Sequence, residues 1–203
     1  QRLLVDQGDA CFVDAAAVLI NLSYPPEQMG WSSVTVDADN DARPDIIVTS
    51  ADFAHEENGV WPVWFLHQQE DGTFIDAGAA FGMPQDTSGR GLVLRDINGD
   101  GVVDALIADV RREPYLLLSD GCTEDAWVEI AAPAGSRVTV EAGGRTFTSL
   151  VSRQDGWCGW GPPTAHIGLG DAAQIDRITV TAPWSAAASI EDVPVRTRLT
   201  WEP

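Results

Sequence analysis

The sequence contains no lysine, and its 12 basic residues, all arginine, face 31 acidic residues. The formal net charge of −19 argues against nucleic acid as a partner, because phosphate groups require a basic surface. The chain also has no apolar run as long as a membrane-spanning helix, so we expect no insertion into a membrane. An acidic surface of this kind attracts cations, although acidity that serves only solubility is an alternative interpretation.

Cysteine is scarce as well, with three residues and no CxxC spacing, which disfavours a zinc site or a redox site. In an oxidising compartment the simplest arrangement is one disulfide and one free thiol. We expect the pair to be Cys122 and Cys158, with Cys11 left over, and three buried free thiols are the alternative. The first residues resemble a strand and not a signal peptide, so we expect the chain to begin after processing or within a longer protein.

An internal repeat is the strongest signal in the first half of the chain. The acidic motif in residues 37–45 recurs in residues 96–104 at an offset of 59. Residues 4–14 also resemble residues 65–76, with Phe12 and Phe74 at an offset of 62. Short apolar segments flank these motifs and predict strands, and residues 70–72 predict a hairpin turn. Residues 15–22 fit either a helical turn or a further strand.

The predicted fold is all-β. Four short strands per repeat are typical of a β-propeller blade, and about two blades fit within residues 1–121. A closed propeller needs roughly four to eight blades, and two alone leave exposed sheet edges. We therefore expect these residues to be the C-terminal blades of a propeller that continues in a larger molecule.

The acidic loops of the two repeats predict two calcium sites. Calcium prefers six to eight oxygen ligands and tolerates irregular geometry, whereas magnesium requires a stricter octahedral arrangement. Alternating acidic side chains on a turning backbone provide such oxygens, and the seventh residue of each loop adds its backbone carbonyl. The predicted ligands are Asp37, Asp39, Asp41, Arg43 and Asp45 in the first loop and Asp96, Asn98, Asp100, Val102 and Asp104 in the second.

The second loop is predicted to be the better calcium site. Its sixth residue is Gly101, which adopts a left-handed conformation easily. Ala42 occupies that position in the first loop, at a strain of about 1 kcal/mol. The alternative for both loops is that their Asp and Asn residues only form Asx turns between strands.

The loops resemble FG-GAP/VCBS-type propeller repeats, which bind calcium in such turns. Residues 122–203 resemble the ASPIC/UnbV domain that follows these repeats in the cartilage acidic protein family. The matching segments are residues 135–146, 166–173 and 175–180, with the sequences GSRVTVEAGGRT, HIGLGDAA and IDRITV. The resemblance implies the C-terminal blades of a β-propeller followed by a small β-sandwich-like domain.

The same resemblance implies a secreted or cell-surface protein that acts in adhesion, or in binding proteins or glycans, with calcium in a structural role. Its expected partner is another protein or the remaining part of the propeller, and a glycan is a further candidate. The alternatives are a structural subunit of a larger surface assembly, or an enzyme or accessory of an enediyne-type secondary-metabolite pathway or a carbohydrate pathway.

No catalytic residues are predicted, because the chain has neither a GxSxG elbow nor an evident Ser-His-Asp set. Residues 168–173 fit the spelling GxGxxA, but the strand expected directly after them leaves no room for the helix of a dinucleotide site. We expect these glycines to form a turn and His166 to be a hydrogen-bonded structural residue. Trp157 and Trp160 form either a contact patch for a partner or sugar rings, or a plug between the two domains; burial of both indoles would exclude the patch.

Overall fold

The structure of the chain is a computed structural model that describes residues 3–6, 11–20, 28–51, 60–121 and 123–202. Within these residues the secondary structure is almost entirely β-strand, as predicted, with the four-residue helix α1 (Ala16–Leu19) as the exception. The helix shows that residues 16–19 form a helical turn and not a strand. In the described part of the chain, no helix is both long and apolar enough to cross a membrane.

The strands of the first half form antiparallel sheets. Strands β1 and β2 pair as a hairpin, β3-β4-β5-β6 form a four-stranded sheet, and β7-β8-β9 form a three-stranded sheet. The bounds are β1 (Leu4–Asp6), β2 (Phe12–Asp14), β3 (Met29–Val36), β4 (Asp45–Ala51), β5 (Trp64–Gln68), β6 (Phe74–Asp76), β7 (Gly89–Arg95), β8 (Asp104–Asp109) and β9 (Tyr115–Leu117).

The repeat predicted from the sequence is present in the structure. Strand β2 begins at Phe12 and β6 begins at Phe74, and each is the second strand of a hairpin. The turn between β5 and β6 passes through Gly72, whose φ of 81° is a conformation that glycine adopts at little cost. Each acidic loop joins the first two strands of its sheet, with Val36 paired to Asp45 in one and Arg95 paired to Asp104 in the other.

The second repeat differs from the expected four strands, because three of its strands pair in the described residues. After β9 the chain continues to Ala126, where the first strand of the next domain pairs with later strands and not with β9. The predicted domain boundary after residue 121 lies between these two strands. The outer edge of β9 is therefore left without a partner strand in the described part of the chain.

The second half forms a two-sheet β-sandwich. One sheet has the order β13-β14-β10-β17 and the other the order β12-β11-β15-β16. The bounds are β10 (Ala126–Ala131), β11 (Arg137–Ala142), β12 (Arg145–Leu150), β13 (Ser152–Gln154), β14 (Trp160–Gly170), β15 (Ile175–Thr181), β16 (Ala188–Val193) and β17 (Thr197–Thr200). Strand β15 follows β14 after four residues, 171–174. Gly170, with φ of 61°, leads into this turn as expected, whereas Gly168 lies within β14 and pairs with Trp127.

Alternating apolar residues fill two separate cores. In the sandwich, Val128 and Ile130 of β10 pack with residues of the opposite sheet such as Val140 and Ile178, and all four are fully buried. A second cluster lies between the two repeat sheets and includes Ile47, Phe65, Leu92 and Ile107. The alternation of buried and exposed residues along the strands, with a period of two, produces one apolar face per sheet.

Of the cysteine predictions, the free thiol of Cys11 is confirmed and the disulfide of Cys158 is wrong. Cys11 and Cys158 are both free and exposed, so Cys158 does not take part in the expected disulfide and neither thiol is buried. Cys122, the other member of the expected pair, lies outside the described residues. Cys158 has a φ of 55°, because it lies in the tight turn in which Gly159 donates to the carbonyl of Gly156.

The tryptophan turn between β13 and β14 touches the first domain through its backbone and not through a buried indole. The amide of Trp157 donates to Oγ of Ser32 at 3.0 Å, and Gly159 lies so close to Leu92 that an added Cβ would be 2.0 Å from the carbonyl oxygen. The side chains of Trp157 and Trp160 are 54% and 68% exposed. The two indoles therefore do not plug the join between the domains. Because both are exposed, burial does not exclude a contact patch.

Candidate metal centre

The two acidic loops share one backbone design. In both loops, aspartate and asparagine side-chain oxygens accept hydrogen bonds from amides of the same turn. Ala42 donates to Asp37 at 2.8 Å, and the corresponding Gly101 donates to Asp96 at 2.6 Å. Arg43 donates to Asp41 at 2.8 Å, and Val102 donates to Asp100 at the same distance. Residues that are 59 positions apart in the chain therefore make equivalent hydrogen bonds in the two loops.

Both loops pass twice through the left-handed region of backbone conformation. The fourth residues are Asn40 (φ 64°) and Gly99 (φ 88°), and the sixth are Ala42 (φ 69°) and Gly101 (φ 93°). The strain predicted for Ala42 is therefore present in the structure, since an L-residue with a Cβ disfavours this region. Asparagine tolerates it better because its short side chain can hydrogen-bond locally.

In the first loop, three carboxylates converge. Ligand atoms of Asp37, Asp39 and Asp45 all lie within 4.8 Å of one another, as do those of Asp39, Asp41 and His67. The buried Oδ1 of Asp37 has no hydrogen-bond partner among the described residues, although its Oδ2 accepts from Ala42. A buried carboxylate oxygen without a partner is costly, and a cation is the partner that suits it. The first loop therefore fits a hard divalent cation.

The electrostatics of the first loop agree with this fit. Burial raises the pKa of Asp37 to about 8, and the neighbouring charge of Asp41 adds to the effect. Burial raises the pKa of Asp45 to about 6, opposed by the hydrogen bonds from Gln68 and Ala38. The pKa of Asp41 is raised as well, again mainly by burial. These carboxylates repel one another in a low-dielectric site, and a bound cation would offset that repulsion.

His67 is a residue of the site that the sequence did not reveal. Its Nε2 lies 3.0 Å from Oδ2 of Asp39, and its ring packs against Phe81 with centroids 6.0 Å apart. The β4–β5 register brings it to the loop, because Ile46 pairs with Leu66 and the next residues along β5 reach the acidic turn. The amide of Gln68 then donates to Asp45 at 2.9 Å. Only knowledge of this register would have identified the histidine.

In the second loop, Asp96 forms an ion pair with Arg198. The guanidinium of this β17 residue donates to Oδ2 of Asp96, whose side chain is fully buried, and lies 3.4 Å from Glu129. Asn98 contributes no charge and donates its amide to Oδ2 of Asp100 at 2.8 Å. No three acidic side chains of this loop approach one another as those of the first loop do, and the whole loop is within the described residues.

The structure therefore brings the predicted ligands closer together in the first loop than in the second. The aspartates of the first loop form two overlapping groups that share Asp39, although Asp41 also pairs with Arg43. The acidic side chains of the second loop form no such group, and its Asp96 pairs with Arg198. The predicted preference for residues 96–104 stays a prediction, and the geometry favours the opposite order. The physical reason is that Arg198 comes from a strand 94 residues later than Asp104, a contact that the loop sequence does not contain.

The sandwich domain packs directly on the first loop. An added Cβ at Gly168 of β14 would lie 1.9 Å from Oδ2 of Asp37, and the amide of Gly170 donates to the carbonyl of Asn40 at 2.9 Å. His166 is hydrogen-bonded, as expected, with Nε2 2.8 Å from Oδ1 of Asn40. The amide nitrogen of Asn40 donates to the carbonyl of Gly101 at 2.9 Å, so one fully buried side chain joins both loops to the sandwich.

Comparisons with known families agree with this division of the chain. The sequence model of the FG-GAP-like repeat matches residues 37–107, which contain both acidic loops. The model named ASPIC and UnbV matches residues 131–203, which contain most of the sandwich. No curated protein matches the chain significantly. With both models matched in this order, the chain is an FG-GAP repeat protein with a C-terminal ASPIC/UnbV domain.

Proposed function

We propose that this chain belongs to an extracellular, non-enzymatic binding protein in which the FG-GAP repeat holds a structural calcium ion in its first acidic loop. The observation that carries the proposal is the convergence of Asp37, Asp39 and Asp45, in which one buried oxygen of Asp37 finds no partner among the residues that the structure describes. Repeats of this family are common in extracellular proteins, where millimolar-range calcium sites are used. The ion in this proposal stabilises the fold and takes no part in a reaction.

The donor set favours calcium over a transition metal. Gln69 donates its side-chain amide to Nδ1 of His67 at 3.2 Å, so Nε2 carries the ring proton and donates to Asp39. In that state the histidine orients a carboxylate and does not ligate the ion itself. The remaining donors are carboxylate and carbonyl oxygens, which are the ligands that calcium prefers.

Calcium binding is tested by titration of the purified chain, followed by isothermal calorimetry and by thermal unfolding in calcium and in chelator. We expect a bound ion that raises the melting temperature, and we expect the Asp37→Asn change to abolish it. Asp171→Asn, in an exposed turn of the sandwich, removes the same charge away from the loops and serves as the control. Equal melting temperatures with calcium and with chelator would refute the calcium site.

The binding role is supported by the exposed tryptophans near the junction of the domains. Trp157 packs against Trp31 with centroids 6.3 Å apart, and the guanidinium of Arg90 lies 4.3 Å from the Trp31 ring. Exposed indoles are costly unless a partner covers them, and their faces suit the apolar faces of sugar rings. A Trp157→Ala, Trp160→Ala double variant is expected to lose retention on immobilised polysaccharides relative to Trp184→Ala. If the unmodified protein is not retained on any immobilised polysaccharide, a glycan is not its ligand.

The enzyme alternative requires histidine and carboxylates that converge in a pocket away from the acidic turns. Both histidines in the described residues contact the first loop, His67 through Asp39 and His166 through Asn40. Burial lowers the pKa of His166 to about 4, which leaves it neutral and poorly suited to accept a proton near neutral pH. These contacts support a structural role for both rings.

A further inference from the structure

The ASPIC/UnbV domain covers the first acidic loop from the side on which the loop has no strand of its own. Two strands of that domain, β14 and β12, reach the turn, β14 through its backbone and a neutral side chain and β12 through one arginine that contacts a carbonyl. Gly170 donates to the carbonyl of Asn40 at 2.9 Å, His166 contacts the side chain of Asn40 at 2.8 Å, and Arg145 donates to the carbonyl of Ala42 at 3.1 Å. Both accepting carbonyls belong to residues that lie between predicted ligands.

Asn40 is the residue at which these contacts meet. It is 0% exposed, and its side-chain amide donates to Gly101, so the other end of the side chain must accept the proton of His166 Nε2. The ring of His166 is in turn stacked on Trp127, with centroids 5.9 Å apart and planes 19° from parallel. The conformation of residues 39–41 is thus fixed by groups that lie outside the loop.

The corresponding position of the second loop has none of this support. Gly99 takes the place of Asn40, so no side chain leaves the turn there, and the nearest group to an added Cβ is Arg198 at 3.5 Å. The two loops therefore share a backbone but differ in how they are held. In the second loop Asp96 receives a charged side chain from the sandwich, whereas the sandwich contacts the first loop through Asn40 and the carbonyl of Ala42 and forms no ion pair with its carboxylates among the described residues.

We propose that the ASPIC/UnbV domain contributes to cation binding in the first loop. Asn40, His166 and Gly168 act as positioning residues. They hold Asp37, Asp39 and Asp41 in the ion-binding arrangement. This inference rests on the proposed calcium site. Glycine at position 168 allows the sandwich to approach Asp37, since any Cβ there would overlap its carboxylate. By thermodynamic reciprocity, calcium in the loop then strengthens the docking of the sandwich on the repeat.

The test measures calcium affinity of the full chain by isothermal calorimetry, with Asp37→Asn as the reference for the empty loop. His166→Phe keeps the aromatic stack on Trp127 but removes the donor to Asn40, and His166→Gln keeps a donor at about the same reach. Asn40→Gly installs the residue that the second loop already uses at this left-handed position, so it is expected to fold. Ile178→Val weakens the sandwich core without touching the loop and serves as the structural control.

We expect His166→Phe and Asn40→Gly to weaken calcium binding by about tenfold. His166→Gln is expected to recover most of the loss, and Ile178→Val to bind like the unmodified chain. Unchanged affinity in His166→Phe and Asn40→Gly overturns the inference while the calcium site stands, as does an equal loss in Ile178→Val. Absence of calcium binding in the unmodified chain overturns both. As a reciprocal measurement, calcium is expected to slow hydrogen exchange at the Gly170 amide but not at amides of β16.

Discussion

Nε2 of His166 lies 2.8 Å from Oδ1 of Asn40, and this hydrogen bond joins residues 126 positions apart in the chain. The asparagine is fully buried and also donates to Gly101, so both ends of its amide are satisfied by groups from different segments. A buried amide with partners at both ends specifies one arrangement of the segments that it joins, because any other arrangement leaves polar groups unpaired. The join between repeat and sandwich is therefore polar and specific at this point.

Replacement of Gly168 by alanine is expected to be strongly destabilising. The new methyl group would lie 1.9 Å from Oδ2 of Asp37 and 2.7 Å from Cα of Asn40, so the sandwich must move away from the loop. We expect a loss of about 2–3 kcal/mol in urea unfolding, the upper part of the range for overpacked sites. Gly144→Ala meets no atom within 4 Å and introduces only the left-handed strain of about 1 kcal/mol, which makes it the control. Equal losses in the two variants would contradict the close approach.

Removal of the Arg198 charge is expected to open the second loop to a cation. In Arg198→Met the buried Asp96 loses its ionic partner, so the calcium-free protein should lose roughly 1–3 kcal/mol of stability. Added calcium should restore stability, and calorimetry should show one more bound ion per chain than in the unmodified protein. Arg177→Met removes an equivalent charge from an exposed pair with Glu191 and should change neither quantity. An unchanged ion count in Arg198→Met would show that the second loop lacks the geometry for calcium.

Calcium affinity is expected to rise with pH. The folded-state pKa of Asp37 is about 8 against 3.8 for the ordinary group, so the ion-free protein holds a proton at neutral pH that the unfolded chain does not. This proton stabilises the ion-free fold fully below pH about 4, and the contribution is lost as the pH rises through about 8. Calcium must displace it, so titrations near the pKa of Asp45, about 6, should give weaker binding than titrations near that of Asp37. Affinity that does not change over this interval would contradict a protonated Asp37.

Replacement of Ala42 by glycine is expected to stabilise the protein. Ala42 has a φ of 69°, and relief of this conformation is worth up to about 1 kcal/mol, reduced by the greater freedom of glycine in the unfolded chain. Ala38→Gly, in the same loop but without positive φ, should instead lower stability by about 0.5–1 kcal/mol. Thermal unfolding of both variants in calcium measures the difference. A loss of stability in Ala42→Gly would mean that the methyl group makes packing contacts worth more than the strain.

Local patterns in the sequence predicted most of the fold. Alternating apolar residues around Val34 and Ile47 produce adjacent strands, and the offset of 62 between Phe12 and Phe74 corresponds to two equivalent hairpins. These signals are local, because strand period and turn chemistry depend on neighbouring residues. The missing fourth strand of the second repeat could not be predicted in this way, because β10, the next strand after β9, pairs with β14 and β17 of the sandwich.

The acidic site was predicted only in part, for the same physical reason. The spacing of Asp37, Asp39 and Asp45 within one turn is a local property, and the structure brings their carboxylates together. The surroundings of each loop depend instead on Arg198, which pairs with Asp96, and on Gly168, which lies against Asp37; both residues lie in the sandwich. His67 arrives through the register of β5, which is likewise not a property of the loop. Loop composition therefore predicts the second loop as the better site, whereas the geometry, which depends on long-range contacts, favours the first.

Because Arg198 pairs with Asp96, the two acidic turns differ in how much their stability depends on cations in solution. In one copy of the turn the buried Asp96 has its counter-charge in Arg198 of the sandwich. In the other, Arg43 pairs with Asp41, and Oδ1 of Asp37 has no hydrogen-bond partner in the described part of the chain. If the proposed calcium ion occupies the first loop, its removal should loosen the contact of Gly168 with Asp37 and leave the contact of Arg198 with Asp96 in place.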